Sequence, residues 1–297
     1  MKVTQFYLQR GIFRGLAFSK FSSFLGAFFG FALGASARAE AGVKVPLSVW
    51  DFQVTSSTEA VLKESGSSVG RQSIWTQQAT FLQRFPVGLK GCFLGAGVQG
   101  ESFSFGGKNS AAVGELRDFA GLVSLEYFVE GLQAASLSLK PGFYFSEHVH
   151  SDCFDIPVQL VSGIPLTDHL NGVVGGAGAR FYRHPIPIVG VSWAISPRLR
   201  LDAVFPEPAL VYTPAKGVEC KLGGELQSGG FRTNTGAPVE YYSYQWKGRV
   251  SYAMGHAVTI SGAVGYEFER RVDYFRGGPS FRSEGAVLLQ LGAGIAF

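Results

Sequence analysis

The last fifteen residues of the chain, 283–297, alternate between two kinds of side chain. Counted back from the carboxyl end, one alternate set is apolar: Phe297, Ile295, Ala293, Leu291, Leu289 and Val287. The other set consists mostly of Gly, Ala and Gln. A period of two is that of a β-strand, which places successive side chains on opposite faces. The pattern predicts a sheet with one face suited to hydrocarbon and the other suited to water.

The preceding segment, 257–271, alternates in the same way, with Val258, Ile260 and Val264 opposite Thr259 and Ser261. A soluble sandwich also alternates, so a secreted all-β domain remains open as an alternative. A chain that ends in an apolar strand with a final Phe resembles the bacterial outer-membrane β-barrel proteins. That resemblance implies that the last strand is the assembly signal, and that the partners include outer-membrane lipids and the barrel-assembly machinery. The residues concerned are Leu291, Ile295 and Phe297.

The start of the chain agrees with an exported protein. Basic residues without acids precede a short apolar core at 21–33, and Ala37 and Ala39 form a small-x-small cleavage site. These features predict a secretory signal peptide over residues 1–39. The apolar core is shorter than the roughly 20 residues that a membrane-spanning helix needs. A membrane anchor and a misplaced start codon remain alternatives, because the basic region is long.

The charge balance changes when the predicted signal peptide is removed. The full chain has 26 basic and 22 acidic residues and a formal charge of +4. Five basic residues and no acid lie within residues 1–39, so the mature chain has 21 basic and 22 acidic residues and a charge of −1. Nucleic acid is not an expected partner, because its binding needs a basic face. The 40 Gly, 26 Phe and 11 Tyr are typical of a membrane barrel.

Short β-segments follow one another through residues 40–297 without a domain linker. We predict an all-β fold, a transmembrane antiparallel up-and-down barrel of 10 to 14 strands, with 12 preferred because bacterial single-chain barrels have even numbers. Residues 45–54 are expected to form a first strand or a plug, followed by a polar loop at 55–72. Residues 111–119 fit either a helical turn or a strand. The sequence Pro206-Glu207-Pro208 either bends one long strand or ends it, which changes the strand count by one.

Four strings in the carboxyl-terminal half carry a narrower resemblance. They are DIPVQ at 155–159, RFYRHPIPIVGVSW at 180–193, FPEP at 205–208 and ERRVDY at 269–274. Together they resemble an uncharacterised bacterial outer-membrane β-barrel domain family, over about residues 143–297. The resemblance implies a porin-like outer-membrane protein, and it provides no activity or catalytic residues to transfer.

Ten charged residues are expected on the lumen face if the alternation holds. They are Arg180, Arg200, Asp202, Lys221, Glu225, Lys247, Arg249, Glu267, Glu269 and Arg271. One interpretation is a mutually neutralising network that fills a narrow barrel, because desolvated charges must be paired. The other is a selectivity lining for a small pore. Both signs occur in similar numbers, so strong ion selectivity is not expected.

The segment 147–153 holds His148, His150, Asp152 and Cys153, whose spacing allows a metal site. A solvated loop is the preferred interpretation, because nothing in the sequence fixes a coordination geometry. No cofactor motif occurs, since the Gly-rich segment 172–178 lacks the ending of a phosphate-binding loop. Cys92 is read as an inert apolar residue, and a disulfide such as Cys153 to Cys220 remains open.

The sequence therefore predicts a narrow porin-like channel for small solutes or a structural barrel, in the bacterial outer membrane. It predicts no enzyme. A rim-located lipid-modifying enzyme remains an alternative, with His148, His169, His184 or His256 beside Ser or Asp as its candidates. No GxSxG nucleophile motif supports that alternative.

Overall fold

The structure is a computed structural model that describes residues 45–107, 114–129, 132–255, 257–275 and 278–297. The predicted signal peptide, residues 1–39, lies outside the described residues. Among the residues that the structure describes, no helix is long and apolar enough to cross a membrane.

The described chain is built almost entirely from β-segments. In chain order these are β1 (Ser48–Ser57), β2 (Ala60–Glu64), β3 (Ser67–Pro86), β4 (Cys92–Gly106), β5 (Glu115–Val129), β6 (Leu132–Leu139), β7 (Gly142–Phe145), β8 (Phe154–Asp155), β9 (Val158–Pro165), β10 (Leu170–Gly178), β11 (Ile186–Ser196), β12 (Leu199–Phe205), β13 (Ala209–Ala215), β14 (Val218–Arg232), β15 (Pro238–Met254), β16 (Val258–Tyr274), β17 (Ser280–Glu284) and β18 (Ala286–Ala296). A 3-10 helix, Ser151–Cys153, lies between β7 and β8.

The segments form one closed sheet. Four consecutive pairs, β1 with β2, β6 with β7, β8 with β9, and β17 with β18, each continue a single strand, so the described segments make fourteen barrel strands. Each strand pairs antiparallel with its neighbours in the chain. The first and last strands close the circle, with Val49 opposite Ala296 and Ser57 opposite Leu288. The predicted transmembrane antiparallel barrel is confirmed, and closure leaves no unpaired edge, which hydrocarbon would not tolerate.

The two ends of the barrel differ in their connections. At one end, which we call the inner end, Ser48 exchanges backbone hydrogen bonds with Phe297. The connections at the inner end are short, such as residues 197–198 and 216–217. The outer end carries longer connections, such as residues 146–153 and 179–185. This asymmetry is typical of outer-membrane barrels, in which the short turns face the periplasm.

The outer face of the barrel is apolar over a broad band. Large apolar side chains that point away from the lumen are exposed on nearly every strand, among them Phe52, Val189, Val250, Val264, Leu289 and Leu291. Aromatic residues border this belt near the inner end (Trp50, Trp193, Tyr252 and Phe297) and towards the outer end (Phe119, Phe143, Tyr266 and Phe268). An apolar band between aromatic girdles is the surface that a bilayer requires.

Residues 206–208 end one strand and do not bend a longer one, which settles the strand count at this point. These residues end β12, and β13 returns antiparallel to it, with Leu201 opposite Leu210. Two prolines lack backbone N–H donors and interrupt the ladder at this point. The preferred count of 12 is therefore two short of the observed fourteen, which is the upper bound of the predicted range.

One local expectation is wrong, and two alternatives that the sequence left open are decided. The polar segment 55–72 is not a loop, because most of it lies in β1, β2 and the start of β3, joined by a turn at Ser65 and Gly66. No part of residues 45–72 forms a plug. The part of 111–119 that the structure describes contains the start of β5 rather than a helical turn. Polarity misled the loop expectation because polar side chains occupy both faces where strands rise above a membrane.

The outer ends of nine segments form a narrower structure that we call the outer tier. It consists of β2, β7 and β17 with the outer parts of β3, β4, β5, β14, β15 and β16. Its outer surface carries charged side chains, Lys63, Glu269, Arg271, Arg282 and Glu284, which are linked in ion pairs. Charges on the exterior are unsuited to hydrocarbon. The outer tier therefore belongs above the apolar belt, outside the membrane.

Candidate functional site

The interior of the outer tier is an apolar cluster. Phe103 from β4 lies against Phe231 from β14, with ring centroids 5.9 Å apart, and against Tyr241 from β15 at 4.8 Å. Phe105 also contacts Tyr241. The cluster further includes Leu62, Ile74, Leu116, Ala120, Tyr144, Phe181, Val239, Val272 and Phe281, all buried. Because side chains from opposite walls are in contact, the axial path is closed at this level.

Two strands that are far apart in the barrel order meet at the top of the outer tier. Phe145 at the end of β7 pairs in parallel with Arg232 at the end of β14, and the Ser146 amide donates to the Arg232 carbonyl at 3.0 Å. This contact bypasses β8 to β13, which end lower. The circumference of the outer tier is consequently smaller than that of the fourteen-strand barrel below it.

The strands β8 to β13, which end lower than their neighbours, form what we call the low wall. Loop 179–185 fills the space between the low wall and the outer tier. Phe181 is almost fully buried in the apolar cluster, and its ring lies beneath the guanidinium groups of Arg180 and Arg232. The Asp155 carboxylate accepts the backbone N–H of Arg180, at 3.1 to 3.2 Å. Arg232 also forms an ion pair with Asp152, at 2.7 Å. These contacts hold both long outer loops over the lumen.

A polar layer lies immediately below the apolar cluster. Glu267 and Arg270 form an ion pair in which both side chains are almost inaccessible to solvent. Ser243 donates to Glu267, and Arg270 donates to the Ser57 hydroxyl at 2.9 Å. Ser57 in turn accepts the backbone N–H of Ile74. A buried ion pair is tolerated best when its hydrogen-bonding capacity is used; here Nε and Nη2 of Arg270 have partners, whereas its buried Nη1 has none.

Glutamine side chains continue the polar layer towards the inner end. Gln245 donates to Gln227 at 3.1 Å, and Gln227 donates to Glu101 at 3.0 Å. On the opposite wall, Gln290 donates to Gln53 at 2.7 Å. Each amide can donate and accept, so the chain of hydrogen bonds extends across several strands.

The charged residues of this layer are partnered. Lys247 forms an ion pair with Glu225 at 2.8 Å, and Arg249 donates to Gln290 at 2.8 Å. Lys140 donates to Gln99 at 2.9 Å, close to Glu101 on the same strand face.

A small cavity lies at the centre of the polar layer. Its volume is about 10 Å³, which is room for about one water molecule. The lining is polar throughout: Gln53, Thr55, Thr76, Gln78, Glu101, Glu225, Gln227, Gln245, Lys247 and Gln290. The lumen is therefore constricted at this level by flexible side chains rather than by backbone.

The inner mouth has its own ion pair, between Arg84 and Glu126. Arg84 also donates to the carbonyl of Pro46 at 2.9 Å, and its backbone N–H bonds the Leu47 carbonyl. The segment before β1 is thus fixed against the inner end of the wall.

The wall from β9 to β12 differs from the rest of the lumen. Its inward side chains are apolar in the outer half and include Val161, Val173, Ile188 and Val204. Further in, Arg200 pairs with Asp202 at 2.9 Å and Ser192 donates to Asp202 at 2.6 Å. In its outer half the lumen is therefore apolar on this flank and polar on the other.

The structure places seven of the ten predicted lumen charges on the lumen face. They are Arg200, Asp202, Lys221, Glu225, Lys247, Arg249 and Glu267. Arg180 is an exposed loop residue, because β10 ends at Gly178.

Glu269 and Arg271 lie on the outer surface instead of the lumen face. A β-bulge shifts the register between Tyr244 and Gln245, whose partners are Glu269 and Glu267. One extra residue on β16 reverses the alternation beyond that point. Arg270 therefore faces the lumen, and its two neighbours pair with each other outside.

Sequence reasoning missed several lumen residues, notably Arg84, Glu101, Asp118, Glu126 and Arg270. Four of them follow the alternation of their strands, so the signal was available in β3, β4 and β5. Arg270 had no such signal, because the bulge is not visible as a Gly or Pro in the sequence.

The remaining candidates do not form a site. His148, His150, His169 and His184 are exposed on connecting segments, and His256 lies outside the described residues. Within the described ranges, no group of three or more His, Cys, Asp or Glu could hold a metal ion. All three cysteines are free, and Cys153 lies in the outer loop whereas Cys220 lies near the inner end of β14. The disulfide between them does not form.

No protein-family model matches the chain, and no curated protein sequence matches it. Among solved structures, the COG4313 outer membrane channel from Pseudomonas putida F1 has a TM-score of 0.52 at 12% identity, over 88% of this chain and 100% of that chain. The TodX monoaromatic hydrocarbon channel deltaS2 mutant has a TM-score of 0.35 at 8% identity, over 86% of this chain and 91% of that chain. Acinetobacter baumannii OccAB1 has a TM-score of 0.35 at 8% identity, over 88% of this chain and 99% of that chain. The first likeness confirms the outer-membrane barrel fold, and at this identity it concerns the fold alone.

Proposed function

We propose that the protein is a narrow porin-like channel of the bacterial outer membrane, closed at its outer end in this conformation. The observation that carries the proposal is the polar layer with its central cavity, inside a barrel whose outer face is apolar. Hydrogen-bonding groups from several strands surround a space inside the barrel here, instead of packing solidly against one another. A passage for polar solutes requires them.

Two further observations support this proposal. The Pseudomonas putida protein that shares the fold is described as an outer membrane channel. The constriction is formed by long side chains of Gln, Glu and Lys, which can change rotamer without breaking the strand ladder. The predicted signal peptide and outer-membrane location, and the assembly role of Leu291, Ile295 and Phe297, belong to the same proposal.

A structural barrel that does not conduct is the second candidate. The apolar cluster of the outer tier favours it, because Phe103, Phe231 and Tyr241 block the axis. For the channel to conduct along its axis, this cluster has to separate.

Planar-bilayer recording of the purified full-length gene product tests the choice. Phe103→Ala removes the side chain that contacts both Phe231 and Tyr241, so it should raise the open fraction at least several-fold over wild type. Phe119→Ala is the matched control, because Phe119 lies on the neighbouring strand and is 62% exposed on the outer face. No current above that of protein-free bilayers and no entry of glycerol into proteoliposomes, from either wild type or Phe103→Ala, would support the structural barrel.

A further inference from the structure

We propose that the constriction selects small, uncharged solutes rich in hydrogen-bonding groups, such as short polyols, over inorganic ions. This inference rests on the proposed channel function. It is drawn from the chemistry of the ten side chains that line the central cavity.

Amides and hydroxyls dominate the lining. Five of the ten residues are Gln and two are Thr. A solute hydroxyl offers one donor and two acceptor positions, and a Gln amide offers donors and acceptors side by side. Such a solute replaces the bonds from Gln245 to Gln227 and from Gln290 to Gln53 with bonds of the same kind. The exchange leaves no buried group unsatisfied, which is the costly outcome.

The charges in the constriction oppose one another. The Lys247 ammonium lies 2.8 Å from the Glu225 carboxylate. Glu101 accepts from Gln227, and Lys140 bonds to Gln99 on the same strand face. An ion entering this layer must lose water, and it meets neighbouring fields of opposite sign rather than a ring of one sign. The lining holds the Glu101 and Glu225 carboxylates against the Lys247 ammonium, and the Lys140 ammonium lies beside it, so the charges largely offset one another and neither cations nor anions gain a large attraction.

The same lining excludes large solutes and apolar solutes. The cavity of about 10 Å³ admits about one water molecule, so larger solutes must displace the Gln side chains as they pass. An apolar solute would separate the amides without replacing their hydrogen bonds. Each pair separated in this way leaves a buried donor and a buried acceptor unsatisfied, which is unfavourable.

Flux measurements test the proposal on proteoliposomes containing the full-length gene product, in wild type and in Phe103→Ala. Glycerol entry is followed by light scattering, and current in potassium chloride is recorded in planar bilayers. For Phe103→Ala, in which the apolar cluster is opened, we expect the rate of glycerol entry to be at least tenfold above that of empty liposomes. The current in potassium chloride should stay close to that of protein-free bilayers. A current in potassium chloride that is strongly selective for one sign would overturn the solute class while leaving the channel intact. No flux of either kind in both proteins would overturn the channel itself.

Charge variants provide the second test. Glu225→Gln removes the carboxylate beside Lys247 and should move the reversal potential towards that of chloride, whereas Lys247→Gln should move it towards that of potassium. The ion current should rise about tenfold or more in each, because changing the charge of the lining by one unit acts strongly on an ion within about 4 Å. Glu284→Gln, on the exterior of the outer tier, is the control. Reversal potentials that stay at the wild-type value in both lumen variants would refute the assignment of Glu225 and Lys247 to the constriction.

Discussion

Glu267 and Arg270 are three residues apart on one strand, and both side chains point into the lumen, where they form a buried ion pair. In a regular strand they would point to opposite faces, because the side-chain period is two. The β-bulge between them brings them to the same side. This pair fixes the boundary between the polar layer and the apolar cluster above it.

We predict that Arg270→Ala strongly destabilises the barrel. The change leaves the Glu267 carboxylate buried without its cation, which costs about 3–5 kcal/mol in buried pairs. Urea titration of the folded, heat-modifiable form in detergent measures the effect. Arg271→Ala is the matched control. Its ion pair is exposed, so it should cost about 1 kcal/mol or less. Equal losses in the two variants would contradict the bulge.

Gly190 is predicted to be essential for closing the low wall. A Cβ at this position would overlap the carbonyl oxygen of Ala203 on the neighbouring strand, and backbone cannot move aside as a side chain can. Gly190→Ala should therefore lower the yield of folded barrel on refolding, read as the fraction of the heat-modifiable band. Gly176→Ala lies on the adjacent strand, where a Cβ would have ordinary contacts, and should refold like wild type. A normal yield from Gly190→Ala would show that β11 and β12 are further apart.

We predict that replacing Phe297 impairs insertion into the outer membrane of cells without impairing folding in detergent. Its side chain is 68% exposed on the outer face, and it is held at the inner end by backbone hydrogen bonds to Ser48. Phe297→Ala should refold in detergent with unchanged stability, while the amount of folded protein in outer membranes of expressing cells should fall several-fold. Leu289 has a similarly exposed side chain, at 62%, near the same end of the chain. Leu289→Ala should therefore retain both the stability in detergent and the amount of folded protein in outer membranes. Equal membrane levels of the two variants would remove the proposed assembly signal.

Cys153 is predicted to be unreactive in the folded barrel. It is fully buried at the end of outer loop 146–153, and burial raises the pKa of its thiol above the ordinary value. At pH 8 the thiolate fraction is therefore smaller than for an exposed cysteine. In a Cys92→Ala, Cys220→Ala background, a maleimide polymer should label Cys153 only after unfolding. A variant that combines Cys153→Ala with Val149→Cys in the same background should be labelled rapidly at residue 149 in the folded state, since Val149 is exposed. Rapid labelling of both would show that loop 146–153 opens.

The period of two in β12, β14, β15, β16 and β18 determined the fold class, the lipid-facing residues of those strands and most of the lumen charges. These features are local, because a strand's two faces follow from alternate positions in the chain. The same rule would have found Glu101 and Glu126. It failed at Glu269 and Arg271, since one bulge residue reverses every later position on the strand.

Only the tertiary structure decided how the lumen is divided. The contact of Phe103 with Phe231 and the pairing of Phe145 with Arg232 join segments far apart in the sequence. They depend on β8 to β13 ending lower than their neighbours, which alternation does not specify. The pairing of Lys247 with Glu225 likewise depends on register between strands. The sequence by itself therefore determined that this chain forms a membrane barrel, and three-dimensional packing decided where that barrel is closed and which side chains form its constriction.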